Sequence, residues 1–302
     1  MAVGDLITAA RYNNAQGRVA AVLGVGSGTQ GYGQTVTSSQ VNSNLKVTAT
    51  DVNNLYTDLK AIRIHQTGGV PNSIATVDVG DTIGDAASDG NALKGFADYE
   101  SFITLVEADA ERFKLASTQQ SDDIDVKVAQ RRNQWTAPIK CEFQVTFNNA
   151  DHRRHFFNSG GSITLISSIS NPPVSGNSVA KTQNWQAILS NSGTVSFNYQ
   201  TTTTTGTGIT QAIGNYQLTS SYQEIFAKSA TGVYGANNYY IRAKAVSSKS
   251  IKFEVEFYDH NPGGYKIDEP VQGLLESKIG YVRASGLYVD VAVPAFAITD
   301  AL

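Results

Sequence analysis

The sequence contains little that could cross-link the chain, anchor it in a membrane or recruit nucleic acid. It has a single cysteine, Cys141, so an intrachain disulfide is impossible. No segment reaches the roughly 18 consecutive apolar residues that a membrane-spanning helix needs, and the N-terminal stretch lacks the basic start of a signal peptide. The formal net charge of -3 offers no basic surface. We therefore expect no membrane and no nucleic acid among the partners.

Charge is scarce in one long stretch of the chain. Between Arg154 and Glu224 the only charged side chain is Lys181, and the rest is Ser, Thr, Asn, Gln, Gly and apolar residues, with His155 set aside. Lys and Glu ordinarily keep globular surfaces soluble, and charge is depleted at the cores of interfaces. The stretch predicts a surface covered by neighbouring subunits or a β-rich shell; the neutral face of an ordinary sandwich fits equally well.

A short pattern occurs twice near the N-terminus. Residues 7–14 (ITAARYNN) and 47–54 (VTATDVNN) share the order apolar-Thr-Ala-x-x-apolar-Asn-Asn. Each copy opens a run of apolar residues at helical spacing, and Thr8 and Thr48 are suited to cap those helices. We expect two related helical units within residues 1–70, which we interpret as the anchor of the chain in an assembly.

The remaining chain changes from helical to strand periodicity. Residues 71–134 predict a Gly-rich loop followed by an amphipathic helix near 97–116. From residue 135 onward apolar and polar residues alternate, most strictly in 139–147 and 251–258, as in half-buried strands. Further strands are predicted near 162–169, 194–200, 215–227, 237–246, 274–283 and 286–293, and short helices near 149–158 and 179–191.

These segments together predict an α+β, multi-domain fold. A small helical N-terminal region with an internal repeat (1–70) and the loop-plus-helix segment (71–134) precede a β-rich domain (135–302). Many short strands with turns between them are typical of a mainly antiparallel β sandwich or a jelly-roll-like domain.

Two motifs lack the context that their chemistry requires. Residues 26–31 match G-x-G-x-x-G, but a dinucleotide site needs this motif between a strand and a helix. Here a predicted helix precedes it, so we interpret it as a flexible loop. His152 and His155 have i, i+3 spacing on a predicted helix, but a zinc site needs at least a third ligand. A basic turn on the surface is the better interpretation.

The acidic residues form no recognisable set either. Four aspartates lie in a Gly-rich loop but lack the D-x-D-x-D core of calcium loops, so calcium binding at 78–90 stays open. In the β-rich half, spacing alone pairs no carboxylates for glycoside chemistry. The residues in question are Asp78, Asp81, Asp85 and Asp89 in the loop, and Asp259, Asp268, Glu269 and Glu276 in the β-rich half.

No nucleophile stands out. The sequence contains no G-x-S-x-G, and Cys141 falls on the apolar face of its strand, which predicts a buried, inert thiol. We therefore predict no catalytic, cofactor-binding or metal residues, no cofactor, and no enzymatic activity.

Several short segments are distinctive as a set. They are the two Thr-Ala-x-x-apolar-Asn-Asn units, Ile64–Gly68 (IHQTG), Val145–Phe147 (VTF) followed by Phe156–Ile163 (FFNSGGSI), Phe253–His260 (FEVEFYDH) and Asp268–Gly273 (DEPVQG). Together they resemble virion structural proteins of tailed bacteriophages, most of all those of cyanobacterial myoviruses. The resemblance touches both ends of the chain and carries over no catalytic or binding residue. It implies a virion component of the tail, neck, baseplate or fibre.

The leading interpretation is thus a structural protein of a phage particle, assembled in the host cytoplasm as a homo-oligomer or with other virion proteins. The alternative is an adhesin module that binds host-surface glycan, with exposed tyrosines stacking on sugars. Its candidate aromatics are Tyr199, Tyr216, Tyr234 and Tyr239. A glycan-degrading enzyme is a third interpretation, and the sequence does not fix the position in the particle.

Overall fold

The computed structural model describes residues 7–81, 83–85, 95–109, 114–260 and 269–302. Its helices are α1 (Ala9–Leu23), α2 (Ala49–Thr67), α3 (Phe96–Asp109), α4 (Ala150–Asn158) and α5 (Ser178–Ser192). Its strands are β1 (Gln120–Arg131), β2 (Ile139–Thr146), β3 (Ser162–Ser170), β4 (Val195–Phe197), β5 (Thr202–Thr204), β6 (Ile209–Thr210), β7 (Gln223–Ser229), β8 (Asn238–Ser247), β9 (Ser250–Tyr258), β10 (Leu274–Ala284) and β11 (Ala295–Asp300). Helices dominate before the strands begin, which confirms the predicted α+β class.

The chain divides into two compact units. The helical unit comprises Met1–Ser121, Arg154–Gly161 and Arg283–Ala292, and the β unit comprises Asp122–Arg153, Ser162–Val282 and Val293–Leu302. The predicted boundaries at residues 70 and 134 differ from this division. The physical reason is that α3 packs against both α1 and α2, so the middle segment belongs to the helical unit as far as Ser121, and residues 122–134 belong to the β unit.

Helices α1, α2 and α3 of the helical unit run parallel. Arg11 and Arg18 of α1 form ion pairs of 2.6 Å with Glu100 and Glu107 of α3, with the same spacing on both helices. At the other contact, the Tyr12 hydroxyl of α1 donates to a backbone carbonyl in the first turn of α2. Parallel helices need connections that travel back along them. At 1.5 Å per residue α1 is about 23 Å long, and this explains the length of the segment 24–48, which joins the end of α1 to the start of α2.

The two sequence repeats have the same local structure. Thr8 and Thr48 each cap their helix by accepting the backbone N–H three residues further on. At Thr48 a capping box completes the turn, because the Asp51 carboxylate accepts the Thr48 N–H at 2.8 Å. The prediction that each pattern opens a Thr-capped helix is confirmed.

In each repeat, one asparagine of the helix also binds an extended segment that follows that helix in the chain; we call these the return segments. The Asn13 amide donates to the Val41 carbonyl and accepts the Val41 N–H, both at 2.8 Å. Asn53 makes the same two bonds to Val77, again at 2.8 Å. The shared asparagine is therefore a clamp that replaces strand pairing for an extended segment. The described parts of these segments around Val41 and Val77 are thus held by bonds within the chain.

The β unit consists of two antiparallel sheets that face each other. Their strand orders are β1-β10-β3-β4-β5 and β11-β2-β9-β8-β7-β6. Phe197 of β4 meets Phe253 of β9 at a ring distance of 5.3 Å, and the hydroxyls of Ser167 in β3 and Tyr239 in β8 are 3.0 Å apart. Helix α5 packs on β3. This arrangement confirms a β sandwich.

Strands with one solvent-exposed face and one buried face were predicted well, whereas strands at the edges of the sheets were not. The strand predicted near 286–293 is absent, and the edge strand β11 begins only at Ala295. The segment predicted as a strand from 215 begins with a short 3-10 turn, so β7 starts at Gln223. Strand β1 was missed because most of its residues are exposed and only Ala129 is buried, and an edge strand without a buried face has no period-two pattern.

Candidate functional site

The G-x-G-x-x-G loop is a bonded turn of the helical unit. The Arg154 guanidinium donates to the loop carbonyls of Val25 and Gly28 at 2.8 and 3.0 Å. The Asn158 amide donates to two further loop carbonyls, at 3.0 and 2.9 Å. A Cβ at Gly31, whose φ is +99°, would lie 2.4 Å from a backbone oxygen. The glycines thus allow a tight turn that α4 binds through four hydrogen bonds, and the flexibility of the loop stays a prediction.

Two basic side chains of α4, those of His152 and Arg153, are buried. His152 is buried and its Nδ1 accepts a backbone N–H at 3.0 Å. The neighbouring Arg153 is also buried and donates to the Asn215 side chain at 2.7 Å. The predicted basic surface turn is thus wrong at these two positions, because both side chains hold neighbouring chain segments. Within the described ranges no group of three His, Cys, Asp or Glu residues could hold a metal ion.

The aspartates of the Gly-rich loop serve the fold where they are described. The Asp85 carboxylate forms an ion pair of 2.7 Å with Arg11, and this hydrogen bond lowers the pKa of Asp85. Asp81 accepts the Asp78 N–H at 2.7 Å, which is a turn contact. Asp89 lies outside the described residues. Asp85 is therefore occupied by a guanidinium that would compete with a cation.

The carboxylates of the β unit are used separately. Asp259 forms an ion pair of 2.8 Å with Lys181, and both side chains are fully buried. Glu269 accepts a hydrogen bond from the Tyr234 hydroxyl, and Glu276 accepts one of 2.6 Å from Gln130. Asp268 lies outside the described residues. Each described carboxylate thus has its own structural partner.

The single thiol lies in the core. Cys141 is fully buried on β2. Burial raises the pKa of Cys141 to about 12, with a small opposing effect from a hydrogen bond to Ser277. Since the thiolate is the reactive form, the prediction of a buried, inert thiol agrees with this environment.

The tyrosines proposed for sugar stacking are not available as platforms. Tyr199, Tyr234 and Tyr239 are at most 7% exposed. Tyr216 is half-buried, with its ring centroid 4.3 Å from that of Tyr199. The prediction that these aromatics are exposed is wrong, because sequence position alone does not tell which side of a β-rich segment faces the core.

One stretch of the β unit exposes no charged side chain of its own, although the ammonium groups of Lys228 and Lys244, from neighbouring strands, lie against Thr207 and the Tyr222 ring. From residue 162 to 223 the only charged side chain is Lys181, and it is fully buried against Asp259. The exposed side chains of this stretch are amides, hydroxyls, alanines and two conspicuous aliphatics, Val174 (97% exposed) and Ile209 (63%). The outer positions of α5 are typical: they include Ala180, Gln183, Ala187, Ser190 and Asn191. We call residues 162–223 the uncharged surface.

Two hollows lie on the described residues, and the second borders the uncharged surface at Asn171 and Pro173. One of about 660 Å³ opens where α1 and α2 begin and is lined by side chains such as Leu45, Val47 and Val79. The other, of about 450 Å³, belongs to the β unit and is lined by amides. Its polar side chains are Arg132, Asn133, Gln134, Asn171 and Gln272. Neither hollow contains a set of groups arranged for acid–base or nucleophilic chemistry.

Comparisons with protein-family models, with curated proteins and with solved structures found no match to this chain. Among the described helices none is long and apolar enough to cross a membrane.

Proposed function

We propose that the chain is a non-enzymatic structural component of a tailed-phage particle, working through contacts with further copies or with other virion proteins. The observation that carries this proposal is the uncharged surface. A region of this length without an exposed charge is poorly protected against association, and interface cores are depleted of charge in the same way. The sequence resemblance to tailed-phage virion proteins supplies the kind of assembly.

The burial of Lys181 lowers the surface charge further. A lone lysine in a neutral region ordinarily keeps its ammonium in water. Here its ammonium is 2.8 Å from Asp259, and neither side chain is exposed. The outside of the region is therefore even less charged than its sequence suggests, as expected for a surface that neighbouring subunits cover.

The first test is the composition of purified particles. Particles banded in a density gradient from a lysate that contains this chain should hold it in a fixed number of copies, measured by quantitative mass spectrometry. A chain that is abundant in the lysate and missing from the particles would refute the proposal.

A second test addresses the uncharged surface itself. Replacing the exposed α5 residues Ala187→Glu and Ser190→Lys should reduce incorporation strongly, because an interface core tolerates charge poorly. The matched control is Ser248→Glu, which adds a charge at an exposed turn beside Lys249. Unchanged incorporation of the α5 variant, with its circular dichroism intact, would show that this surface is not a subunit contact.

The alternative, a glycan-binding adhesin, keeps one supporting feature. The amide-lined hollow of the β unit offers donors and acceptors suited to sugar hydroxyls, and the Gln272 amide donates to Gln134 at 3.0 Å. Titration with host-surface glycan should then give saturable binding that Asn171→Ala weakens. If no glycan binds at millimolar concentration, this alternative loses its remaining support.

A further inference from the structure

Strand β1 is a long edge strand with an open side. It spans 12 residues, Gln120–Arg131, and only Ala129 among them is buried. It pairs with β10 on one side and stands at the end of its sheet, so no described strand lies on its other side. An open edge presents unpaired backbone N–H and C=O groups and is a template for pairing with another chain.

The charges along this strand are sorted by sign. The first half carries Asp122, Asp123 and Asp125, and the second half with the residue that follows carries Lys127, Arg131 and Arg132. Two of the six bind other segments of the chain: Asp125 forms an ion pair of 3.0 Å with Lys278, and Arg131 donates to backbone carbonyls of the turn that follows. Among the other four, the Asp123 carboxylate accepts the backbone N–H of Asp125 within the strand, at 2.9 Å.

The other four charges have no ion pair in the described part of the chain. They are Asp122, Asp123, Lys127 and Arg132. At about 3.3 Å per residue, Asp122 and Arg132 are roughly 33 Å apart along an extended strand. They are too far apart to neutralise each other, since this distance is several times the screening length of about 8 Å at physiological salt.

We infer that the open edge of β1 pairs antiparallel with the same edge of a second copy of this chain. A strand whose first half is acidic and whose second half is basic is complementary to itself only when the two copies run in opposite directions. Around a two-fold axis at Lys127, Asp122 of each copy lies opposite Arg132 of the other and Asp123 lies opposite Arg131, and each contact occurs twice. These four contacts between opposite charges outweigh the single like-charge contact between the two Lys127 side chains on the axis. Such self-complementary contacts are characteristic of two-fold dimers, and the added strand supplies main-chain hydrogen bonds.

The order of the charges argues against a protective edge and against parallel pairing. Charged residues on an edge often serve to prevent pairing, but a protective edge needs only charge of one sign, which would repel every copy. A parallel arrangement in register would place acid beside acid and base beside base, which is destabilising. This inference rests on the proposed function in one respect, that the chain works in several copies, and it names the surface between two of them.

The test uses two charge reversals on the full chain, Asp122→Lys and Arg132→Glu. In a dimer of either variant alone, both contacts between positions 122 and 132 join like charges. A mixture of the two variants can form a heterodimer, in which both contacts join opposite charges. One of these contacts joins the two original residues, and the other joins the two reversed ones. We expect the dissociation constant of each variant alone to rise by roughly tenfold to thirtyfold, and that of the mixture to return close to the wild-type value. Sedimentation equilibrium at low and high salt measures all three.

The control is Lys249→Glu, a reversal at an exposed turn of the β unit, which should leave the dissociation constant unchanged. Circular dichroism of each variant establishes that it is folded. If the wild type stays monomeric at all accessible concentrations, or if the mixture associates no better than either variant alone, the inference is overturned. If the chain is monomeric but is still found in particles, the β1 pairing is rejected and the structural role is retained. If the chain dimerises through β1 but is missing from particles, the structural role is rejected and the pairing is retained.

Discussion

Breaking the buried ion pair between Lys181 and Asp259 by removing one partner should strongly destabilise the β unit. Both side chains are fully buried, and the ammonium nitrogen is 2.8 Å from a carboxylate oxygen. Changing Lys181→Met retains the length of the side chain and removes its charge. The variant leaves the Asp259 carboxylate in the interior without this ammonium, which is costly because the surroundings solvate a charge poorly.

The expected loss in the free energy of unfolding can be compared with the loss on breaking an exposed ion pair of the same unit. Removing one partner of a buried pair costs roughly 3–5 kcal/mol, whereas an exposed pair is worth up to about 1 kcal/mol. Lys140, which is 50% exposed and 3.0 Å from Glu254, provides the control. With a urea dependence of about 3 kcal/mol/M, Lys181→Met should lower the unfolding midpoint by about 1–2 M and Lys140→Met by far less.

The assay is urea unfolding followed by tryptophan fluorescence. The chain has 2 tryptophans, Trp135 and Trp185, which lie together in the core of the β unit with a ring distance of 5.1 Å. Their fluorescence therefore reports on this unit. The double variant Lys181→Met with Asp259→Leu should recover much of the loss, since apolar pairs often replace buried ion pairs well. A midpoint for Lys181→Met that matches Lys140→Met would refute this reasoning.

Three further predictions concern other sites. Asn53→Ala removes both bonds to Val77 and should cost about 1–3 kcal/mol, measured by thermal unfolding at 222 nm, whereas a melting temperature equal to that of Asn54→Ala would contradict the clamp. Burial lowers the pKa of His65 from 6.5 to about 4, so the unfolded state binds more protons between these values. Stability should be complete above pH 6.5 and fall by up to about 3 kcal/mol as the pH drops to 4; a His65→Gln variant with the same acid loss would exclude this cause. Cys141 should resist thiol reagents at pH 8 until urea unfolds the chain, and rapid labelling of the native protein would show that the thiol is accessible.

The environment of His65 is the physical basis of the second of these predictions. The side chain is 1% exposed and its ring centroid lies 4.9 Å from that of Tyr32. Neither ring nitrogen makes a well-formed hydrogen bond among the described residues, although the backbone of Ser159 is near enough to favour the protonated form weakly. Desolvation is therefore the dominant cause of the lowered pKa, and the neutral ring is the folded form.

Local patterns were sufficient where neighbours in sequence decide the structure. Thr8 and Thr48 cap the helices that follow them, because an N-cap needs only a side-chain oxygen within reach of the next turn. Strands β2 and β9 were predicted from strict alternation, since one face of each is wet and the other buried. Burial of Cys141 followed from the same alternation.

Local patterns failed where distant segments decide the environment. His152, Arg153 and the tyrosines at 199, 234 and 239 are polar or amphipathic residues that the fold buries. Their burial depends on which segments cover them, and nothing in the flanking residues encodes that. Likewise the sequence predicts no partner for Asp85, whereas the folded helical unit brings Arg11 of α1 to it at 2.7 Å.

The sequence by itself determined the α+β class, the two Thr-capped repeats and the absence of charge across residues 162–223 apart from Lys181. Each is a property of composition or of short-range periodicity. Only the tertiary structure decided that Asn13 and Asn53 clamp return segments, that Lys181 is hidden against Asp259, and that β1 lies at the open edge of its sheet. These contacts join residues far apart in the chain, and their energies come from burial and pairing that exist only after the chain has folded.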